Sequence, residues 1–155
     1  MLQYACLPFS DLSLEELYEV MAVRQTIFAV EQDCAYLDAD GKDETAWHVL
    51  GKNNAAEIMT YARLLPQGIA YPKYASIGRV LSMQAVRGSG EGRRLMEFAL
   101  TQCAALWPGI DIKISAQAYL LDFYNSLGFS SVGEPYIEDG IPHVAMIWQS
   151  HALVK

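Results

Sequence analysis

Cysteine is scarce and isolated: Cys6, Cys34 and Cys103 are odd in number, widely spaced, in no C-x-x-C pair and without a histidine at ligand spacing. That argues against a disulfide framework and a cysteine-based metal site, and implies free thiols in a reducing compartment. No apolar run approaches the roughly 18 residues of a membrane span, and residues 1–6 lack both a basic and a long apolar segment. A cytoplasmic protein without membrane attachment is expected. No repeat, low-complexity tract or linker divides the 155 residues, so one domain over residues 1–155 is expected.

Positive charge is also in short supply. Eleven Lys and Arg stand against eighteen Asp and Glu, a net −7 that would repel a phosphate backbone and argues against nucleic-acid binding. Glu31, Asp33, Asp38, Asp40, Asp43 and Glu44 crowd one stretch that contains a single Lys42. A calcium loop centred on Gly41 fails, because Tyr36 and Trp47 would occupy the first and twelfth ligand positions. The stretch then reads as a solvated loop or an electrostatic lure for a cationic acceptor. Cys34 within it reads as an ordinary thiol, since acidic neighbours hold a proton on sulfur.

Apolar residues make up 52% of the chain and charged residues 19%, which suits a packed core. A strand is expected at residues 2–7. Ser13 with Glu16 forms a capping-box pattern, and Leu14, Leu17, Tyr18, Met21 and Ala22 predict a helix over residues 14–28. Residues 47–50, 58–65 and 76–83 read as three antiparallel strands. A Gly-rich turn leads into a helix over residues 94–107, with Leu95, Phe98, Ala99, Gln102 and Leu106 on one face. Then come a strand at 110–116, a short helix at 119–127 and strands at 130–136 and 143–148. The order predicts a mixed sheet covered on both faces, an α/β (α+β mixed) three-layer α/β/α domain with a parallel crossover in its second half.

The most informative segment runs from Val80 through Leu81 and Ser82 to Arg87-Gly88-Ser89-Gly90-Glu91-Gly92-Arg93-Arg94. Three glycines in five positions let backbone N–H groups turn inward together, and the following helix adds its positive end. Such a turn holds a phosphate or pyrophosphate, and its arginines supply cations. A dinucleotide fingerprint fails because Arg93 stands where a third glycine belongs, and a Walker loop fails for want of Gly-Lys-Ser/Thr.

Arg87-x-x-Gly90-x-Gly92 after a strand resembles the acyl-CoA pyrophosphate motif, (Q/R)-x-x-G-x-(G/A), of the GNAT superfamily of N-acetyltransferases. Residues 116–129, ending Phe123-Tyr124-x-x-x-Gly128-Phe129, resemble that superfamily's second element. The ElaA-like branch is the nearest likeness, through Arg24-x-x-Ile27-Phe28-x-x-Glu31-Gln32, Cys34-x-Tyr36-x-Asp38-x-Asp40-Gly41 and Glu138-Asp139-Gly140-Ile141-Pro142-His143.

The resemblance implies a sheet splayed between its fourth and fifth strands, with acetyl-CoA as cosubstrate, no metal, and the pantetheine arm lying between those strands. It implies that Val80, Leu81 and Ser82 pair with pantetheine amides and offer an oxyanion donor, and that Arg87, Gly88, Ser89, Gly90, Glu91, Gly92 and Arg93 hold the pyrophosphate. Gln117 falls where many members carry Asn and is a further cofactor contact. Tyr124 becomes the candidate general acid for the departing thiolate; by spacing alone it is a core tyrosine on a stripe with Leu120 and Leu127. Glu31, His48 and His143 rank together as candidate bases: Glu31 is balanced by a solvated helix-end acid, His48 by a satisfied, partly buried histidine, and His143, after Ile141-Pro142, is expected to line the same cleft. The function implied is direct acetyl transfer to a primary amine of a small molecule or peptide terminus. A non-catalytic acyl-CoA-binding sensor is the alternative, and the acceptor and a homodimer are left open.

Overall fold

The computed structural model describes residues 1–150. Strands β1 (Gln3–Pro8), β2 (Trp47–Lys52), β3 (Ile58–Leu65) and β4 (Ser76–Ser82) form an antiparallel sheet in chain order. Strands β5 (Ile112–Gln117), β6 (Ser130–Glu138) and β7 (Ile141–Trp148) form a second, ordered β5-β7-β6. The sheets meet at one parallel bridge, where Ala75 N–H donates to Asp111 O at 3.0 Å and Lys113 N–H to Ala75 O at 2.9 Å. Beyond that hinge β4 and β5 separate, so the expected mixed sheet is two antiparallel sheets joined at a parallel seam that opens into a cleft.

Helix α1 (Leu14–Arg24) begins at the capping box: Glu16 N–H donates to Ser13 Oγ at 3.0 Å and Ser13 N–H to Glu16 Oε1 at 2.9 Å. Its buried stripe is Val20, Val23 and Arg24, whereas Leu14 and Tyr18 are about four-fifths exposed. The hydrophobic pattern selected the wrong face because a fully buried arginine belongs to the inward one. The helix also stops short of Phe28. Residues Gln25–Glu31 widen into a π-type coil, with Gln32 N–H reaching Ile27 O and Cys34 N–H reaching Ala29 O, five residues back.

Helix α2 (Glu91–Leu106) carries the chain from β4 to β5 as the parallel crossover and buries Leu95, Met96, Ala99, Leu100 and Cys103. Short helix α3 (Leu121–Ser126) follows β5. Strand alternation assigns the layers. Val49, Ala62 and Leu64 join the core beneath α2, while Leu50 and Tyr61 join a second core with Val20 and Val23 of α1. Helices therefore cover opposite faces of the first sheet. The last two strands are one hairpin, longer than the sequence pattern suggested, turned by Asp139 and Gly140 at φ 51° and 75°.

Candidate functional site: a cleft between splayed strands

The cleft is set by a bulge in β4. Tyr61 pairs with Leu81 and Arg63 with Gly78, so Arg79 and Val80 together oppose Ala62. Arg79 takes a left-handed φ of 51°. One inserted residue reverses the side-chain alternation: Ile77 packs beneath α2 and Leu81 beneath α1, although both are odd-numbered. A bulge of this kind also increases local twist, which turns the end of β4 away from β5.

The resulting space, about 540 Å³, is walled by Gly78, Arg79, Val80, Leu81 and Ser82 on one side and Ile114, Ser115, Ala116 and Gln117 on the other. At one end stands the Gly-rich turn. Arg87 and Gly92 line the cleft itself, and Gly88, Ser89, Gly90 and Arg93 form an exposed rim. Gly90 is the N-cap of α2 at φ 86°, with no side-chain cap on the first turn, and a Cβ at Gly88 or Gly90 would meet nothing within 4 Å. Donors of an uncapped sixteen-residue helix thus face open space beside a guanidinium, which suits a phosphate group. Arg93 bonds Ser126 Oγ on α3 and ties the turn to that helix. Glu91 is different: its side chain is buried, accepting from Tyr4 OH at 2.8 Å, so only its backbone is available to a ligand.

Tyr124 lines the other wall. Its ring packs edge-on to Phe123 and Phe129, with centroids 5.2 and 5.6 Å away, and burial pushes its phenol up to about 12. Gln117 faces the cleft and lies opposite His143 in the β5–β7 register. His143 also lines it; its Nδ1–H donates to Ile141 O at 2.7 Å, and its Nε2 lies 3.7 Å from Glu138 Oε2. Ser115 Oγ on β5 donates to Glu138 Oε1 at 3.2 Å and is bonded to Tyr136 OH, both on β6, so β5 and β6 brace that corner.

The three base candidates part company. Glu31 lies on the rim, but its Oε1 accepts from Arg87 Nη2 at 2.7 Å. His48 does not line the cleft. Its ring is fully buried, with Nε2–H donating to Asp43 O at 3.0 Å and Nδ1 accepting from Tyr61 OH at 2.6 Å, and burial lowers its proton affinity. Both nitrogens are occupied, so the structural reading of His48 applies. Glu31 and His143 both line the cleft, but the Glu31 carboxylate is taken up by Arg87, whereas one ring nitrogen of His143 is not engaged by the backbone.

The acidic stretch is only partly solvated: Glu31, Asp33 and Glu44 are exposed, but the other three acids are paired within the protein. Asp38, Asp40 and Asp43 bind three arginines from the surrounding elements. Arg24 donates to Asp38 at 2.9 Å and Asp43 at 2.6 Å; Arg63 forks onto Asp40 with two 2.8 Å bonds; Arg79 reaches Asp38 at 2.7 Å. Burial raises the Asp40 and Asp43 carboxyls, but the adjacent guanidiniums outweigh it and hold both below the usual range. Part of the signal for this network lay in the sequence, since Arg63 and Arg79 are the lone charges in their strands, whereas Arg24 follows three glutamates in α1 and gave none. Among the described residues, no group of three His, Cys, Asp or Glu is placed to hold a metal ion, and no helix is long and apolar enough to cross a membrane.

Residues 41–150 match the family model described as an acetyltransferase (GNAT) domain. The chain belongs to the GNAT acetyltransferase family. Within this GNAT family it is 41% identical over 148 residues to Protein ElaA of Escherichia coli K12, covering 94% of this chain and 95% of that protein. A UPF0039 protein of Synechocystis is 44% identical over 141 residues, 91% of each chain. The crystal structure of Escherichia coli ElaA superposes with a TM-score of 0.90 at 40% identity, covering 96% of this chain and all of that one. An acyl-CoA N-acyltransferase from Pseudomonas aeruginosa gives 0.88 at 37%, covering 94% and 99%. As a GNAT protein on this fold, the chain is an acyltransferase.

Proposed function

We propose that this chain transfers an acetyl group from acetyl-CoA directly to a primary amine of a small molecule or peptide terminus. One arrangement carries the reading: the open start of α2 with Arg87 at one end of the cleft, and the Tyr124 phenol and His143 ring farther along it. Arg87, Gly88, Ser89, Gly90, Gly92, Arg93 and the Glu91 peptide hold the pyrophosphate. Val80, Leu81 and Ser82 pair with the pantetheine arm from β4, and Gln117 contacts it from β5. An acyl-CoA N-acyltransferase among the similar structures supports the same cosubstrate.

On this reading the amine nitrogen attacks the thioester carbon while a β4 peptide N–H donates to the carbonyl oxygen. His143 Nε2 takes the proton that the nitrogen loses. The C–S bond breaks, and Tyr124 gives its proton to sulfur, so free CoA leaves as thiol. Solvent then returns a proton to Tyr124 and removes one from His143. Burial pushes the Tyr124 phenol up to about 12, so its proton is present at neutral pH and is drawn off only as negative charge develops on the departing sulfur. Positioning supplies most of the rate, since both reactants are held in one cleft.

Titration calorimetry with acetyl-CoA and a thiol-release assay across a panel of primary amines test the reading. Saturable binding with amine-dependent release is expected. Binding without release for any amine would leave the non-catalytic sensor, and no binding would overturn the reading.

A further inference from the structure

Arg79 is the residue at which the cleft is made, yet nothing in the proposed chemistry uses it. It sits in an apolar strand with a φ of 51°, a strained conformation for a side-chain-bearing residue that persists only where its surroundings fix it. Its guanidinium is fixed from three directions. Nε donates to Asp38 Oδ1 at 2.7 Å, Nη2 donates to the Asp38 carbonyl at 3.1 Å, and Nη2 lies 3.5 Å from Asp40 Oδ2. Its flat face covers the Tyr36 ring at 5.6 Å. Asp38 is itself immobilised, being 5% exposed, with Oδ2 accepting from fully buried Arg24 and Oδ1 accepting from Tyr36 OH at 3.1 Å. Thus the end of α1, the acidic loop and the β4 bulge share one anchor.

The next residue is Val80, which lines the cleft and, like Arg79, has no Cα partner in β3. Its peptide orientation follows from the torsions of Arg79 rather than from a ladder. We propose that Arg79 is a positioning residue: clamped by Asp38, it holds the β4 bulge in the left-handed conformation that aims the Val80–Leu81 peptide donors into the cleft. This assignment rests on the acyl-CoA reading above. It predicts a role for the guanidinium that acts through backbone geometry and not through contact with either substrate.

Two substitutions separate those roles. Arg79→Ala removes the clamp and keeps the Cβ that disfavours positive φ; Arg79→Gly removes the clamp but permits positive φ freely. The readout is the ¹³C chemical shift of [1-¹³C]acetyl-CoA bound to each variant, which reports polarisation of the thioester carbonyl. In wild type the bound carbonyl moves downfield. Arg79→Ala loses that displacement, Arg79→Gly regains most of it, and both still bind acetyl-CoA saturably because the pyrophosphate grip lies elsewhere. Arg79→Lys, which keeps charge and stem but not the fork, falls between Ala and wild type and serves if Ala does not fold. Equal displacement in all variants, or Gly no better than Ala, overturns the assignment while the acyl-CoA reading stands. Absence of acetyl-CoA binding by wild type overturns both.

Discussion

The Arg87 guanidinium is shared between two partners: Nη2 donates to Glu31 Oε1 at 2.7 Å and Nε to Ser82 O at 3.0 Å. A cation proposed for the pyrophosphate is therefore held by a carboxylate from the opposite rim. Both side chains are about two-fifths exposed, so the pair is worth about 0.2–1 kcal/mol. Glu31→Gln frees Arg87 and is expected to tighten acetyl-CoA binding about two- to fivefold by calorimetry. With His143 as the base, kcat changes little. A large fall in kcat with unchanged affinity would return the base role to Glu31.

Tyr124→Phe keeps the aromatic packing and deletes the proton. A drop in kcat of about a hundredfold is expected, with acetyl-CoA affinity unchanged. Since burial raises the phenol to about 12, its acidic form persists on the alkaline side, and Tyr124 ionisation should not reduce wild-type kcat below about pH 10. Steady-state profiles from pH 6 to about 10 for both proteins check this; superimposable profiles and equal kcat remove Tyr124 from the mechanism.

His48 and His143 make a paired test. His143→Gln is expected to lower kcat in the amine assay by about a hundredfold, whereas His48→Gln lowers stability instead, because it breaks the buried bonds to Tyr61 and Asp43. A melting shift confined to the His48 variant and a rate loss confined to the His143 variant is the expected pattern.

Arg24→Met strips two buried aspartates of a shared partner and is expected to cost about 3 kcal/mol, a fall in Tm of roughly 6–12 °C. Thermal unfolding by circular dichroism measures it. An unchanged Tm would mean that Arg63 and Arg79 satisfy those carboxylates without help.

The same network fixes an acid limb. Asp40 and Asp43 hold their protons less tightly folded than unfolded, so the unfolded chain binds more protons as the pH falls. Stability is therefore fully present above the ordinary carboxyl value near about 4 and is lost progressively below it. Melts between pH 2.5 and 6 should show this slope, and Asp40→Asn should flatten it.

How far the sequence reached is clearest at particular residues. The Gly-rich turn, α2, the antiparallel strands and the Tyr124 segment were legible because their signals are local: glycine where a backbone must turn, alternation along strands, a cap before a helix. Alternation could not show that β4 changes parity at Arg79, since a bulge is defined only against the partner strand. Nor could helical spacing show that Arg24 points inward.

Motifs resembling those of the GNAT family thus pointed to the family and its acyl-CoA cosubstrate, and local patterning gave most of the order of elements. Tertiary structure decided which face of α1 is buried, that three aspartates serve as internal counterions, that His48 is sealed in and His143 lines the cleft. The reason is physical: an ion pair or a bulge depends on where two distant segments meet, and burial of a charge is tolerable only where its partner already stands.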